Sequence, residues 1–242
     1  MSGDCYLGVL ESGKLSSIAE NIGEIRERVR QAAVRVNRDP ADIGIVAVTK
    51  TVPVDRVEEA VAAGLNVLGE NRVQELTGKY PFLPGVEWHL IGHLQSNKVK
   101  YIADKVSLIH SLDSLSLAEE INRRMLSLGR AMDVLVQVNV ADEQTKSGVR
   151  PEDTAGFIDS LKGLPGLKVK GLMTIGPYCE NPEDIRPVFR KLRLLAEEVK
   201  TIDFPGIDMK HLSMGMSNDY IIAVEEGATL IRLGSIVFGL RQ

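Results

Sequence analysis

Cysteine is scarce: only Cys5 and Cys179 occur in 242 residues. Two cysteines cannot build the disulfide framework of a small secreted domain, and no Cys/His cluster has zinc-ligand spacing, so a reducing, cytoplasmic compartment is expected. Basic charge is not in excess either. Lys and Arg number 29 against 33 Asp and Glu, giving a net charge of −4 and a pI near 5.7. A nucleic-acid groove needs a basic surface to release counterions from phosphates, so no DNA or RNA partner is expected. Long apolar runs are missing. No segment reaches transmembrane length, and residues 1–13 have no basic flank and only the short apolar stretch 7–10, too short for the core of a signal peptide. No membrane association is expected. Low-complexity segments and long Pro/Gly linkers are absent too, so the expected organisation is a tail, 1–13, followed by one large domain, 14–242.

What is present is strand–helix alternation. After an amphipathic helix over 15–36, apolar runs predict strands at 43–50, 66–71, 87–92, 108–112, 134–139, 169–175, 209–214 and 229–238. Helical stretches follow each of the first seven, such as 54–63, 115–128 and 185–199, and the last strand is expected to run almost to the C-terminus. Such alternation predicts a parallel sheet with helical crossovers. The length is close to the roughly 250 residues of a closed eight-unit barrel, so the expected fold class is α/β, a single (β/α)8 TIM barrel. An open doubly wound sheet is the alternative.

Lys50 closes the unbroken apolar run that begins at Ile43, which puts its amine at the C-terminal mouth of the first strand. Barrel enzymes keep their chemistry at that end. A lysine against a segment buried on both faces points to carbonyl chemistry, above all a Schiff base, although a lysine that merely reaches solvent at a strand end is a common device. The recurrent phosphate site of these barrels is built by the loops after strands seven and eight. Here those loops read Ser213-Met214-Gly215-Met216-Ser217-Asn218-Asp219 and Leu233-Gly234-Ser235, with hydroxyls beside glycines that let backbone N–H groups approach a ligand. By period-two alternation Leu230, Arg232 and Gly234 share a face, so Arg232 is expected to point into the barrel. A buried guanidinium needs a partner, either a ligand or an inward carboxylate. Closure places strand eight beside strand one. An amine, an anion cradle and a polar group then surround one pocket, a combination that suits pyridoxal 5′-phosphate, PLP.

Six ordered motifs carry a family resemblance. They are Val46-Ala47-Val48-Thr49-Lys50, Gly69-Glu70-Asn71-Arg72-Val73-Gln74-Glu75, the run from His89 to Lys98, Gly171-Leu172-Met173-Thr174-Ile175, the run from Leu212 to Asp219, and Ile231-Arg232-Leu233-Gly234-Ser235. Together they resemble the pyridoxal phosphate homeostasis proteins, relatives of the alanine racemase N-terminal barrel, over nearly the whole chain from about Leu15. The resemblance implies a fold-type-III PLP barrel in which Lys50 carries the cofactor as a Schiff base and Arg232 meets the pyridine nitrogen. It also implies Ser213, Ser217, Gly234 and Ser235 around the phosphate, with Met214 among the cofactor-binding residues and Asn71 beside the ring. The implied function is non-catalytic: service of vitamin B6 homeostasis by holding PLP and handing it on. Transient contact with PLP-dependent apo-enzymes and a monomeric state are further expectations.

The alternative is a PLP-dependent amino-acid racemase. Two-base racemisation needs an acid/base on each face of the substrate carbon, and alanine racemases, as a family, take the second base from a partner-subunit tyrosine and dimerise through a C-terminal β domain. With its eighth strand reaching almost to Gln242, this chain is expected to lack such a domain. A third class, a cofactor-free Schiff-base lyase, gives no reason for two phosphate-type loops. Other residues carry less. His89 and His93 flank a strand-to-loop transition, which makes a poor metal pair; His110 and His211 are expected as core or rim histidines. Glu70 and Glu75 are expected as a solvated pair, Asn97 and Lys98 at a helix start, and Tyr178 and Cys179 on an exposed loop.

Overall fold

A computed structural model describes residues 17–141, 143, 147–201 and 206–239. The expected tail 1–13 and the expected helix start at Leu15 lie outside the described residues. The strands are β1 (Gly44–Val48), β2 (Val67–Glu70), β3 (Glu87–Leu90), β4 (Leu108–Leu112), β5 (Met132–Gln137), β6 (Leu167–Met173), β7 (Ile207–Ser213) and β8 (Leu230–Leu233). They form one closed parallel barrel in sequence order. The register Gly44↔Leu230 through Ala47↔Leu233 joins β8 to β1, which excludes the open sheet.

Two apolar layers hold it together. Inside, Val46, Ile91, Leu108, Leu135, Met173 and Leu230 form one cluster; outside, Ala47, Leu68, Trp88, Ile109, Val134, Leu172 and Ile231 join the layer beneath the helices. Alternation along each strand produces the split, and each fully buried Leu or Ile contributes about 1.5–3 kcal/mol. Helix α1 (Ile18–Arg35) starts in a capping box: Ser17 Oγ accepts from the Glu20 N–H, and Glu20 Oε2 accepts from the Ser17 N–H at 2.7 Å. Its buried face, Ile18, Ile22, Ile25, Val29 and Ala32, covers the β8 side of the barrel. The remaining helices are α2 (Val54–Ala62), α3 (Val73–Lys79), α4 (Leu115–Ser127), α5 (Thr154–Ser160), α6 (Arg186–Val199), α7 (Tyr220–Glu225) and α8 (Ser235–Phe238).

Two expectations need correction. The last strand does not extend over 229–238 but ends at Leu233, because Gly234 takes φ −119° and ψ −79°, away from extended backbone, and α8 follows as one turn. A short apolar run such as Ile236-Val237-Phe238 fits strand or helix equally by pattern. The β3 crossover is helical as expected, in the form of a 3₁₀ helix, Ser96–Tyr101. Strands β5, β6 and β7 also begin two residues earlier than expected, since the polar residues Asp133, Lys168 and Asp208 join the extended backbone; Lys170 and Asp208 pair across β6 and β7 at 3.3 Å.

Candidate functional site

Val46, Val48 and Lys50 follow the inward parity of β1, and Lys50 is half-buried just past the strand. The backbone around it is clamped from below. Thr49 is buried, and its hydroxyl donates to Glu70 Oε1 at 2.7 Å. Lys79 Nζ donates to the Thr49 carbonyl and to Glu70 Oε1, each at 2.6 Å. On the far side of Lys50, the Thr51 N–H donates to Glu75 Oε2 at 2.7 Å. Thr51 has φ 61°, a left-handed conformation that costs a β-branched residue about 1–3 kcal/mol and persists only where its surroundings impose it. Glu70 is fully buried and Lys79 is 12% exposed, so the expected solvated role of Glu70 is corrected: burial between β2 and α3 makes it the anchor of the Lys50 turn. Sequence reasoning missed Lys79; its place nine residues after Glu70, on the helix that returns from β2, was the available signal.

Asn71, the next inward residue after Gly69 on β2, is half-buried, and its amide Oδ1 is buried without a hydrogen-bond partner. Extending the register Val48↔Gly69 places it level with Lys50. Gly92 at the end of β3 lets this turn in, since a Cβ there would collide with the Asn71 backbone.

Arg232 is inside the barrel as the alternation predicts, 4% exposed and opposite Val46 in register. One guanidinium nitrogen donates to Ser213 Oγ at 2.5 Å and another to the Thr174 carbonyl at 2.9 Å. Among the described residues no carboxylate is within ion-pair distance of it, so the inward ion pair weighed from sequence is not formed. Burial pushes its pKa down, to about 10, and the nearby Asp219 charge opposes that. Asp219 is itself raised by burial, although its Oδ1 accepts the Met216 N–H at 2.6 Å.

The two loops expected at a phosphate do meet. The Ile236 N–H, at the start of α8, donates to Ser217 Oγ at 3.5 Å, while Gly234 is half-buried and Ser235 exposed beside it. Two other residues are used differently. The Ser213 hydroxyl is engaged by Arg232 and by His110, and the Met214 side chain packs in the layer beneath the helices. The inward parity of β7 turns Ser213 to the barrel axis and Met214 away from it.

His89 and His93 are not a pair: His89 is buried in the barrel, and His93 is an exposed partner of Asp113 at 3.7 Å. No cluster of three metal-ligating side chains occurs among the described residues. His110 is a core histidine, but a bonded one, with Nδ1 2.9 Å from Ser213 Oγ and Nε2 3.0 Å from His89 Nδ1. Two surface grooves, of about 270 and 510 Å³, include neither Lys50 nor Arg232; the larger lies at the N-terminal rim by Ile43 and Leu65.

Residues 14–242 match the family model for the alanine racemase N-terminal domain. The pyridoxal phosphate homeostasis protein of Aquifex aeolicus is 47% identical over 225 residues, 92% of this chain and 98% of that one. Its counterpart in Pseudomonas aeruginosa is 41% identical over 230 residues, 94% and 97% of the two chains. The solved structure of PipY from Synechococcus elongatus with PLP bound superposes with a TM-score of 0.79 at 35% identity, covering 92% of this chain and all of that one. On sequence, fold and coverage together, the chain belongs to the pyridoxal phosphate homeostasis proteins, built on the alanine racemase N-terminal barrel.

Proposed function

We propose that this protein binds pyridoxal 5′-phosphate through Lys50 and serves its homeostasis, holding the cofactor and handing it on instead of turning over a substrate. The observation that carries the reading is convergence at one barrel mouth: a half-buried lysine, a buried guanidinium bonded only to neutral acceptors, and two glycine–hydroxyl loops. The orphaned Asn71 amide supports the fit, because a buried polar group without a protein partner is what a polar ring substituent completes.

When bound, the cofactor supplies an aldehyde for reversible condensation with an amine and a conjugated pyridine ring. The chain's own residues do the rest. Lys50 provides the amine, held in place by the Thr49 and Thr51 clamps. Arg232 can only donate hydrogen bonds, so it matches an unprotonated ring nitrogen and leaves the ring a poorer electron sink than a carboxylic acid would. Ser217, Ser235 and the backbone at Gly234 offer donors for the phosphate.

The non-catalytic part of the reading is supported by the tyrosines. Tyr220 packs in the layer beneath the helices, and Tyr178, after β6, is 82% exposed. Neither is built into the barrel mouth as a second base. The reading takes the protein to act as a cytoplasmic monomer that meets apo-enzymes transiently; no described helix is long and apolar enough to cross a membrane.

Borohydride reduction of the PLP-loaded protein followed by peptide mapping should place the pyridoxyl group on the Lys50 peptide. Label on another lysine with Lys50 free would overturn the assignment. Incubation with L-alanine and chiral separation of the products tests the racemase alternative. Turnover in the ordinary range of about 1–10³ per second, abolished by Lys50→Ala, would replace the carrier reading with an enzyme.

A further inference from the structure

The barrel interior holds a line of polar groups that cofactor binding does not itself require. From Arg232 on β8 it runs to Ser213 on β7 at 2.5 Å, from Ser213 Oγ to His110 Nδ1 on β4 at 2.9 Å, and from His110 Nε2 to His89 Nδ1 on β3 at 3.0 Å. It ends where His89 Nε2 meets Glu87 Oε1 at 3.1 Å, on a side chain 52% exposed at the N-terminal end of β3. Ser107 Oγ donates to the same carboxylate oxygen at 2.8 Å.

With a neutral His89, its two ends fix its direction. A guanidinium only donates, so Ser213 Oγ accepts from Arg232 and has its own proton to give. An ionised carboxylate only accepts, so His89 Nε2 carries the proton that faces Glu87. Glu87 is held to about 2, chiefly by the His89 hydrogen bond, and is ionised at neutral pH. A neutral His89 then has Nδ1 as its acceptor, which requires the Nε2–H tautomer of His110 and leaves His110 Nδ1 to accept from Ser213. Burial favours that neutral form: His110 is pushed well below the usual histidine range by desolvation, and the buried Arg232 charge adds to the effect. Every hydrogen bond thus points from the cation toward the anion. Aligned bonds of this kind polarise one another in a low-dielectric interior.

We propose that Glu87, His89, His110 and Ser213 form a polarised hydrogen-bond relay that holds Arg232 charged and oriented, and so sets how tightly the barrel retains the ring nitrogen of its cofactor. The inference rests on the PLP reading for its consequence and on this chain's geometry alone for the relay. It makes His110 a positioning residue that acts through Arg232. It also explains how a guanidinium without an adjacent carboxylate stays inside a barrel: the Asp219 charge is not within ion-pair distance, and the line leads to the Glu87 carboxylate four hydrogen bonds away.

The test has two parts. Imidazole ¹⁵N NMR of the cofactor-free protein at neutral pH should show both His110 and His89 as neutral Nε2–H tautomers. A His110 that is doubly protonated, or carries its proton on Nδ1, would overturn the relay whatever the protein binds. Equilibrium dialysis of PLP then reads the consequence. His110→Gln should weaken retention roughly tenfold in the wild-type background and add nothing in an Arg232→Leu background. Glu87→Gln, at the half-exposed end, repeats the test with less risk to folding. An analogue with carbon in place of the ring nitrogen should bind the wild type and His110→Gln alike. Additive losses from His110→Gln and Arg232→Leu would overturn the coupling. Failure of the wild type to bind PLP would defeat the cofactor reading and the retention claim with it, while the tautomers would still decide the relay.

Discussion

Lys79 and Arg232 are both cations withdrawn from water around the same barrel mouth, 12% and 4% exposed, yet their surroundings differ in kind. Lys79 is enclosed by Glu70 at 2.6 Å, Glu75 at 3.7 Å and the Thr49 carbonyl, so its charge and its donors are spent within the protein. Arg232 has a hydroxyl and a carbonyl, with the nearest carboxylate beyond pairing distance. Burying an ion without a counter-ion is costly, and a fold tolerates it where the group has work to do toward a ligand. The first cation shapes the turn that presents Lys50. The second keeps capacity for something the chain itself does not supply.

The largest effect should come from breaking the saturated side. Glu70→Leu leaves the Lys79 ammonium buried and unpaired, and removing one partner of a buried ion pair costs about 3–5 kcal/mol. Urea unfolding should show that loss, and the double change Glu70→Leu with Lys79→Met should recover most of it. If Glu70→Leu costs less than about 1 kcal/mol, the pair is not what holds the Thr49–Thr51 turn.

The next effect belongs to Arg232 and should appear in ligand retention more than in stability. Arg232→Leu deletes charge-assisted hydrogen bonds worth about 1.5–3 kcal/mol, so the dissociation constant for PLP should rise roughly ten- to a hundredfold. Lys98→Ala, on the 3₁₀ helix after β3 with its ammonium 5.7 Å from the Tyr101 ring, should leave that constant unchanged. Equal dissociation constants for the wild type and the Arg232 variant would make Arg232 a structural residue, like Lys79, and the comparison would collapse.

The two sides were unequally legible in the sequence. Arg232 could be placed because β8 alternates cleanly, with Leu230 inside and Ile231 and Leu233 outside, and because closure fixes its neighbour strand. Lys50 followed from the same periodicity on β1. Glu70 could not be read correctly, since a charged residue at a strand end looks solvated until the lysine that meets it is known, and Lys79 reaches it only through the return of α3. The histidines failed for a related reason. His89 and His110 are 21 residues apart and touch because β3 and β4 are adjacent, with His89 opposite Leu108 in register. Periodicity assigns each residue to a face; it does not say which polar groups on that face will meet, and the relay is made entirely of such meetings.

The smallest expected effect is a pH dependence on the Arg232 side. Burial holds the folded pKa of His110 well below its ordinary 6.5. Below pH 6.5 the unfolded chain therefore takes up a proton that the folded chain refuses, so stability is full above that pH and is lost as pH falls toward the folded value. One such proton gives a slope of at most about 1.4 kcal/mol per pH unit. Glu87 has the same sign in a lower window, because its folded value of about 2 lies below an ordinary 4.5. Asp113 and Asp219, both raised by burial, act with the opposite sign above their ordinary 3.8 and offset part of the loss. His211, also lowered by burial, adds to the histidine window and remains in the variant. Urea midpoints for the wild type and His110→Gln between pH 7 and pH 5 should therefore differ in slope, the variant being flatter. Parallel curves would mean that His110 takes up its proton in the folded barrel, and the neutral relay to Arg232 would then have no basis.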